Sequence, residues 1–357
     1  MSRTTERTLP LPPPAASRRG PVVVLGHHGM LGQALMNVAA ERGLATIGIS
    51  RRTVPGLNLA RQASLAPYLD PLAPSLVINA AAITDLAASE ADASAAHELH
   101  ARLPGLLADW AKKRNTPWVQ ISTDHYWNDI ENTLHPETAP VSPPNVYART
   151  KRAGEEQALR DPNCLVLRTN VVGFRGRPGE PTFVEWVLGE LARGEPFDGY
   201  TDVWASSIEV HQCARVLFDL VAMGATGILN VASHDSVSKA DFIAALAQAT
   251  GYDAKTMRRV PRPVKQRPRR ANAMGLEVAR VEALLQRPLA TLPEVIEAIV
   301  SHPAMPKPRV SMALDFEVDL EVGVAVDVKP LQPAQPLQLV RTERSVNQEE
   351  GPDVQIA

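Results

Sequence analysis

From Pro21 onward, short runs rich in Val, Ile and Leu alternate with longer stretches whose apolar residues recur every three or four positions. The short runs at 21–25, 45–50, 76–79, 117–122, 164–168 and 227–231 have the length and β-branched content of buried strands. The longer stretches at 31–43, 92–114, 146–160, 181–193, 239–251 and 291–301 read as amphipathic helices. Strands separated by helices of this length are joined by crossovers. The pattern therefore predicts an α/β fold, one parallel sheet covered by helices on both faces.

The alternation stops at both ends. Residues 1–19, with the run Leu-Pro-Leu-Pro-Pro-Pro, read as a disordered leader. Residues 258–270 are crowded with Arg, Lys and Pro and predict an exposed basic loop. The tail, 302–357, contains one segment of a different period, 314–328. There Leu314, Phe316, Val318, Leu320, Val322, Val324, Val326 and Val328 alternate with Asp315, Glu317, Asp319, Glu321 and Asp327. Such an amphipathic strand either docks on the protein's own sheet edge or pairs with another chain, as in a homodimer or with a protein partner.

Composition narrows the class without changing this picture. The chain has 357 residues, 45% hydrophobic and 21% charged, the proportions of a soluble globular protein. A formal net charge of −2 carries no electrostatic footprint for nucleic acid. No apolar run approaches a membrane span, and the first residues lack the apolar core of a secretory signal. Cys164 and Cys213, without metal-ligand spacing, read as buried thiols of a reducing compartment, the cytoplasm. No metal site is expected.

The first strand runs into Gly26-His27-His28-Gly29-Met30-Leu31-Gly32, and a helix starts there. Gly26 allows a tight turn, Gly29 lets backbone approach a pyrophosphate, and Gly32 permits close helix–strand packing. The first N–H groups of the helix then face the phosphates. His28, Met30 and Leu31 complete this turn. The second strand ends in Ser50-Arg51-Arg52 with no carboxylate to bind a ribose 2′-hydroxyl. A serine and two arginines suit a 2′-phosphate, which favours NADPH over NADH. Asn58 and Leu59 are placed to flank the adenine, and Ala80, Ala81 and Ala82 leave room for the cofactor to cross the strand ends.

Tyr147 and Lys151 stand one helical turn apart at the start of the 146–160 helix. Hydride reduction of a carbonyl needs an acid for the developing alkoxide. A tyrosine serves if a nearby ammonium lowers its pKa, and the same lysine can hold the nicotinamide ribose. Ser122 or Thr123, at the carboxyl end of the fourth strand, is placed to orient the carbonyl oxygen.

Several stretches together give a family likeness: Gly26-His-His-Gly-Met-Leu-Gly-Gln, Val77-Ile-Asn-Ala-Ala-Ala-Ile-Thr, Gln120-Ile-Ser-Thr-Asp, Asn145-Val-Tyr-Ala-Arg-Thr-Lys-Arg-Ala-Gly-Glu155 and Leu167-Arg-Thr169. Over roughly residues 21–300 the chain resembles the dTDP-4-dehydrorhamnose reductase family of sugar-nucleotide reductases, in the extended short-chain dehydrogenase/reductase superfamily. The resemblance implies a Rossmann-type doubly wound domain over 20–170. It also implies that 171–301 interleave the remaining sheet elements with a small C-terminal α/β substrate domain. The activity implied is reduction of a keto group on a nucleotide-linked deoxy sugar by NADPH, with NADH as the alternative cofactor. Thr123, Tyr147 and Lys151 become the catalytic triad, and Thr84, Asp124, His125, Tyr126 and Asn170 fall on the substrate side.

That substrate side departs from the family. His125-Tyr126-Trp127 replaces the usual Tyr-Val-Phe, Asn170-Val171-Val172-Gly173 replaces Ser-Trp-Val-Tyr-Gly, and Leu99-His100 replaces Val-Asn. Thr182 stands where an Asn is usual. A different keto sugar is one consequence. The alternative is a non-catalytic, NADP-binding subunit resembling the regulatory β subunit of methionine adenosyltransferase. For the cofactor, Arg51→Ala combined with Arg52→Ala is expected to weaken NADPH more than NADH in a fluorescence titration. Equal loss of both would mean that these arginines do not read the 2′-phosphate.

Overall fold

The computed structural model describes residues 20–50, 53, 58–129, 131–177, 179–263 and 268–306. The leader 1–19, Arg51, Arg52 and the segment 314–328 lie outside the described residues. Six strands form the main sheet: β1 (Val22–Leu25), β2 (Thr46–Ile49), β3 (Leu76–Asn79), β4 (Trp118–Ile121), β5 (Cys164–Arg168) and β6 (Gly227–Asn230). All pair in parallel, in the order β2-β1-β3-β4-β5-β6. These are the six strands that the hydrophobic pattern predicts. The winding reverses between β1 and β3, and the crevice at their carboxyl ends is where ligands bind in such sheets.

The longer helices are α1 (Met30–Glu41), α2 (Leu103–Arg114), α3 (Val146–Ala158), α4 (Phe183–Arg193), α5 (Val210–Ala222), α6 (Lys239–Thr250) and α7 (Leu292–Val300). Strand alternation divides the sheet's side chains between two cores. Val22 and Val24 join Leu35, Leu217 and Cys213 on the face of α1 and α5. Val23 and Leu25 join Leu107, Trp110 and Cys164 on the face of α2. A third core lies outside the sheet. It draws Phe183, Val187, Phe242, Ile243, Val295 and Ile299 from α4, α6 and α7 around the parallel pair Phe197–Tyr200 and Met257–Val260.

Two predicted elements differ. The segment 258–270 is not wholly an exposed loop: Arg258 to Val260 belong to that strand pair, and Arg262 and Arg270 are only half-exposed. The single helix expected over 92–114 is three pieces, Ala93–His97, a π turn Glu98–Arg102, and α2. Pro104 explains the break. It has no N–H to give to the carbonyl of His100, and its ring crowds that carbonyl.

The freed carbonyl has a use in packing. It lies against Gly154 of α3 so closely that a Cβ on Gly154 would overlap it. Proline in one helix and glycine in the other thus set how near α3 comes to the π turn. Gly154→Ala is expected to lower stability by about 2 kcal/mol in urea unfolding, the usual cost of overpacking. A loss below about 0.5 kcal/mol would mean that the two helices separate freely.

Candidate active site

The glycine turn has the form the sequence predicts. Gly26 has a φ of 80°, and a Cβ there would stand 2.8 Å from the backbone of Ala81. At Gly32 a Cβ would run into the carbonyl of Gly26 and come within 2.6 Å of His27 Cα. Gly29 is the N-cap of α1 and contributes no side chain, and the first turn of α1 holds no acidic residue. A cradle that any side chain would fill, facing an uncapped helix N-terminus, fits a dinucleotide pyrophosphate. Met30, Leu31 and His28 belong to this turn, while the His27 ring packs on Gly48 of β2.

The other predicted cofactor residues are placed by their own contacts, Leu59 among them being a core residue. Ser50 follows β2 and exchanges hydrogen bonds with Thr53. Ala80, Ala81 and Ala82 follow β3 directly. Asn58 caps a short 3₁₀ turn, accepting from the Ala60 N–H at 3.1 Å. Leu59 points into the core beside Val23 and Leu65.

At the end of β4, Thr123 and Tyr147 meet through their hydroxyls. Ser122 does not share this role: its hydroxyl donates to Glu155 at 2.6 Å and turns into the interior. The Tyr147 ring stands edge-on between two imidazoles, His100 at 5.6 Å and His125 at 6.0 Å between centroids. Burial pushes its phenol up to about 12, with the Thr123 hydroxyl lowering it and Asp124 raising it. Lys151 is not among the groups acting on Tyr147. Its ammonium is buried and donates to the Ile121 carbonyl at 2.7 Å, and burial pushes it down to about 8, while Glu155 pulls it up. The expected lowering of the tyrosine pKa by the lysine is thus not a property of this arrangement.

His100 was not anticipated as a site residue. Its Nε2 accepts the Ile83 N–H at 2.9 Å, so Nδ1 carries the proton and donates to Thr150 Oγ1 at 2.8 Å. His125 Nε2 accepts the Ala271 N–H at 3.2 Å. Burial pushes both imidazoles down to about 3; Lys151 adds to this at His100, and Arg270, Arg262 and Lys239 add to it at His125.

The substrate side is built around Asp124. Its carboxyl is buried, accepts from Asn170 Nδ2 and from the Thr123 hydroxyl, and burial raises it to about 6. Asn170 in turn accepts from Ser207 Oγ at 3.1 Å. Tyr126 is a correction. It is 0% exposed, and its hydroxyl donates to Glu155 at 3.0 Å, so it belongs to the core. Thr84 is exposed at the start of the short helix Leu86–Ala91.

Three cations complete this side. Asn145 Nδ2 donates to the Arg269 carbonyl at 2.8 Å, and His125 accepts from Ala271 as above. Arg270 is thereby fixed between the neighbours of Tyr147 and of Asp124. Arg262 donates to the Ala271 carbonyl at 2.9 Å. Lys239 opens α6 with its ammonium 4.3 Å over the Phe183 ring. Burial lowers the pKa of all three, and Arg270 is lowered further by the like charge of Arg262. Cations gathered at a partly buried place suit an anionic ligand.

Residues 20–302 match the family model described as the RmlD substrate binding domain. The chain belongs to this family. It is similar to a probable low-salt glycan biosynthesis reductase of Haloferax volcanii, 29% identical over 292 residues, covering 77% of this chain and 96% of that one. It is 30% identical to a dTDP-4-dehydrorhamnose reductase of Mycolicibacterium smegmatis over 257 residues, 68% of this chain and 74% of the relative. In fold it resembles the dTDP-4-dehydrorhamnose reductase of Bacillus anthracis in complex with NADP. That match has a TM-score of 0.70 at 17% identity, over 79% of this chain and 98% of the other. As a member of the RmlD family the chain is an NAD(P)H-dependent oxidoreductase.

The neutral histidines have a consequence for acid stability. Their folded pKa lies below the ordinary 6.5, so the unfolded chain takes up two protons that the native state refuses as pH falls below about 6.5. Asp124, with its folded pKa raised, acts oppositely but binds only one proton between about 6 and its ordinary 3.8. Melting temperature is therefore expected to fall between pH 7 and pH 5. A Tm that held or rose across that window would show that the imidazoles charge inside the folded protein.

Proposed function

We propose that this protein reduces a keto group on a deoxy sugar carried by a nucleotide diphosphate, with NADPH preferred over NADH. The observation that carries this reading is the hydroxyl pair Thr123–Tyr147, set at the carboxyl end of β4 with Lys151 one turn further along α3. When bound, the reduced nicotinamide supplies the hydride that reaches the carbonyl carbon. Thr123 Oγ1, turning its one proton from Asp124 to the substrate, holds the carbonyl oxygen in place, and Tyr147 gives it the proton. A phenol with a pKa near 12 stays protonated throughout the neutral range and is ready as the acid. Lys151, mostly charged at pH 7 and anchored on the Ile121 carbonyl, keeps the role of holding the nicotinamide ribose. The imidazoles of His100 and His125 pack at steep angles to the phenol ring and hold its orientation.

The phosphate-linked substrate is supported by Lys239, Arg262 and Arg270, which converge beside Asp124 and His125. A neutral free sugar gives these cations nothing to bind. The test is NADPH oxidation with a panel of nucleotide-linked 4-keto-6-deoxy sugars and the same sugars without the nucleotide. Tyr147→Phe is expected to lower kcat by about 100-fold or more while NADPH affinity stays within about twofold. Unchanged turnover in that variant would rule out Tyr147 as the acid. Equal kcat/KM for linked and free sugars would rule out recognition of the phosphates.

A further inference from the structure

The segment that follows Asn170 returns to the cofactor turn. Arg177 Nη2 donates to the carbonyl of His28 at 2.7 Å, and Gln33, in the first turns of α1, donates to the same carbonyl at 3.1 Å. Gln33 also reaches the Arg175 carbonyl at 3.5 Å. The segment is rooted firmly on its own side. Glu185 of α4 accepts the N–H groups of Arg175 at 2.9 Å, Gly176 at 2.7 Å and Thr182 at 2.7 Å, and Thr182 Oγ1 donates to the Gly173 carbonyl at 2.6 Å. The Arg177 guanidinium is thus carried to the glycine turn by a segment whose backbone is held from α4, with the Arg175 guanidinium turned back to the Glu180 carbonyl.

Among the described residues, charge at this place is unbalanced. Arg175 and Arg177 share one carboxylate, Glu180, whose side chain is 60% exposed. Glu185 spends its oxygens on backbone donors, the first turn of α1 has no acid, and Arg175 Nε is buried without a hydrogen-bond partner. A guanidinium resting on a neutral carbonyl makes a weaker bond than it makes with a phosphate oxygen. We propose that Arg177 is a phosphate ligand of the cofactor site, exchanging the His28 carbonyl for the pyrophosphate of the bound dinucleotide.

The test is the affinity of the full-length protein for NADPH and for NADH, by fluorescence titration without substrate. Arg177→Ala is expected to weaken both about tenfold, with Arg177→Lys intermediate and the melting temperature of each variant near that of the parent. Affinities within twofold of the parent for both cofactors would overturn the proposal. Loss confined to NADPH would place the guanidinium on the 2′-phosphate and overturn the pyrophosphate assignment. A lysine variant as weak as alanine, with a lowered melting temperature, would reduce Arg177 to a structural tether. These titrations involve no turnover, so their outcome is separate from the fate of the keto-sugar reading.

Discussion

The site depends on one buried carboxylate. Glu155, on α3, accepts Ser122 Oγ at 2.6 Å and Tyr126 OH at 3.0 Å. It also accepts two bonds from Arg168 at 2.9 and 2.8 Å and one from Arg152 at 2.9 Å. Arg168 closes β5 with its guanidinium over the Tyr126 and Trp127 rings. One side chain therefore ties α3 to the ends of β4 and β5. Thr123 and Tyr147 come from β4 and α3, so their meeting is set by this network. Burying such an ion pair is costly, and the cost is offset only because each oxygen is shared among several donors. Removing either partner alone would leave an unpaired buried charge, a loss of about 3–5 kcal/mol.

Around that fixed frame the site sorts its charges by environment. Groups touching the tyrosine ring are neutral: two imidazoles that burial keeps unprotonated. Apart from Lys151, whose ammonium is tied to the Ile121 carbonyl, the cations of the site come from segments in the C-terminal half. This separation lets Tyr147 remain a neutral acid while an anion is held a short distance away. Asp124 sits at the boundary, opposed by burial and supported by Asn170, Thr123 and Lys239.

Much of this was legible in the sequence, for reasons specific to each element. All six sheet strands stood out because parallel strands buried on both faces read as unbroken β-branched runs. The glycine turn and the Tyr147–Lys151 spacing were legible because local backbone geometry dictates them. Helix α5 escaped the pattern: it is capped by Glu209, whose carboxylate accepts the N–H groups of His211 and Gln212, and not by the Ser, Thr, Asp or Asn that usually marks a helix start. Tyr126 was misplaced because adjacency to a motif does not tell which way a side chain turns; Glu155, 29 residues away, decides that. Arg262 and Arg270 looked like solvated loop charges, since no local pattern records the bond from Arg262 to the Ala271 carbonyl or the bonds that Asn145 and His125 make to the backbone on either side of Arg270.

The two thiols carry a practical consequence. Cys164 lies in the core on one face of the sheet and Cys213 in the core on the other, both fully buried. Burial pushes Cys213 up to about 12 and raises Cys164 strongly, so neither exists as a thiolate in the folded state. The two thiols of the folded chain are therefore shielded from mild oxidants and alkylating agents. Each cysteine becomes reactive only when its own layer of helices lifts away. The protein thus contains two natural timers, one per face, that would reveal whether the two layers come apart together or in succession.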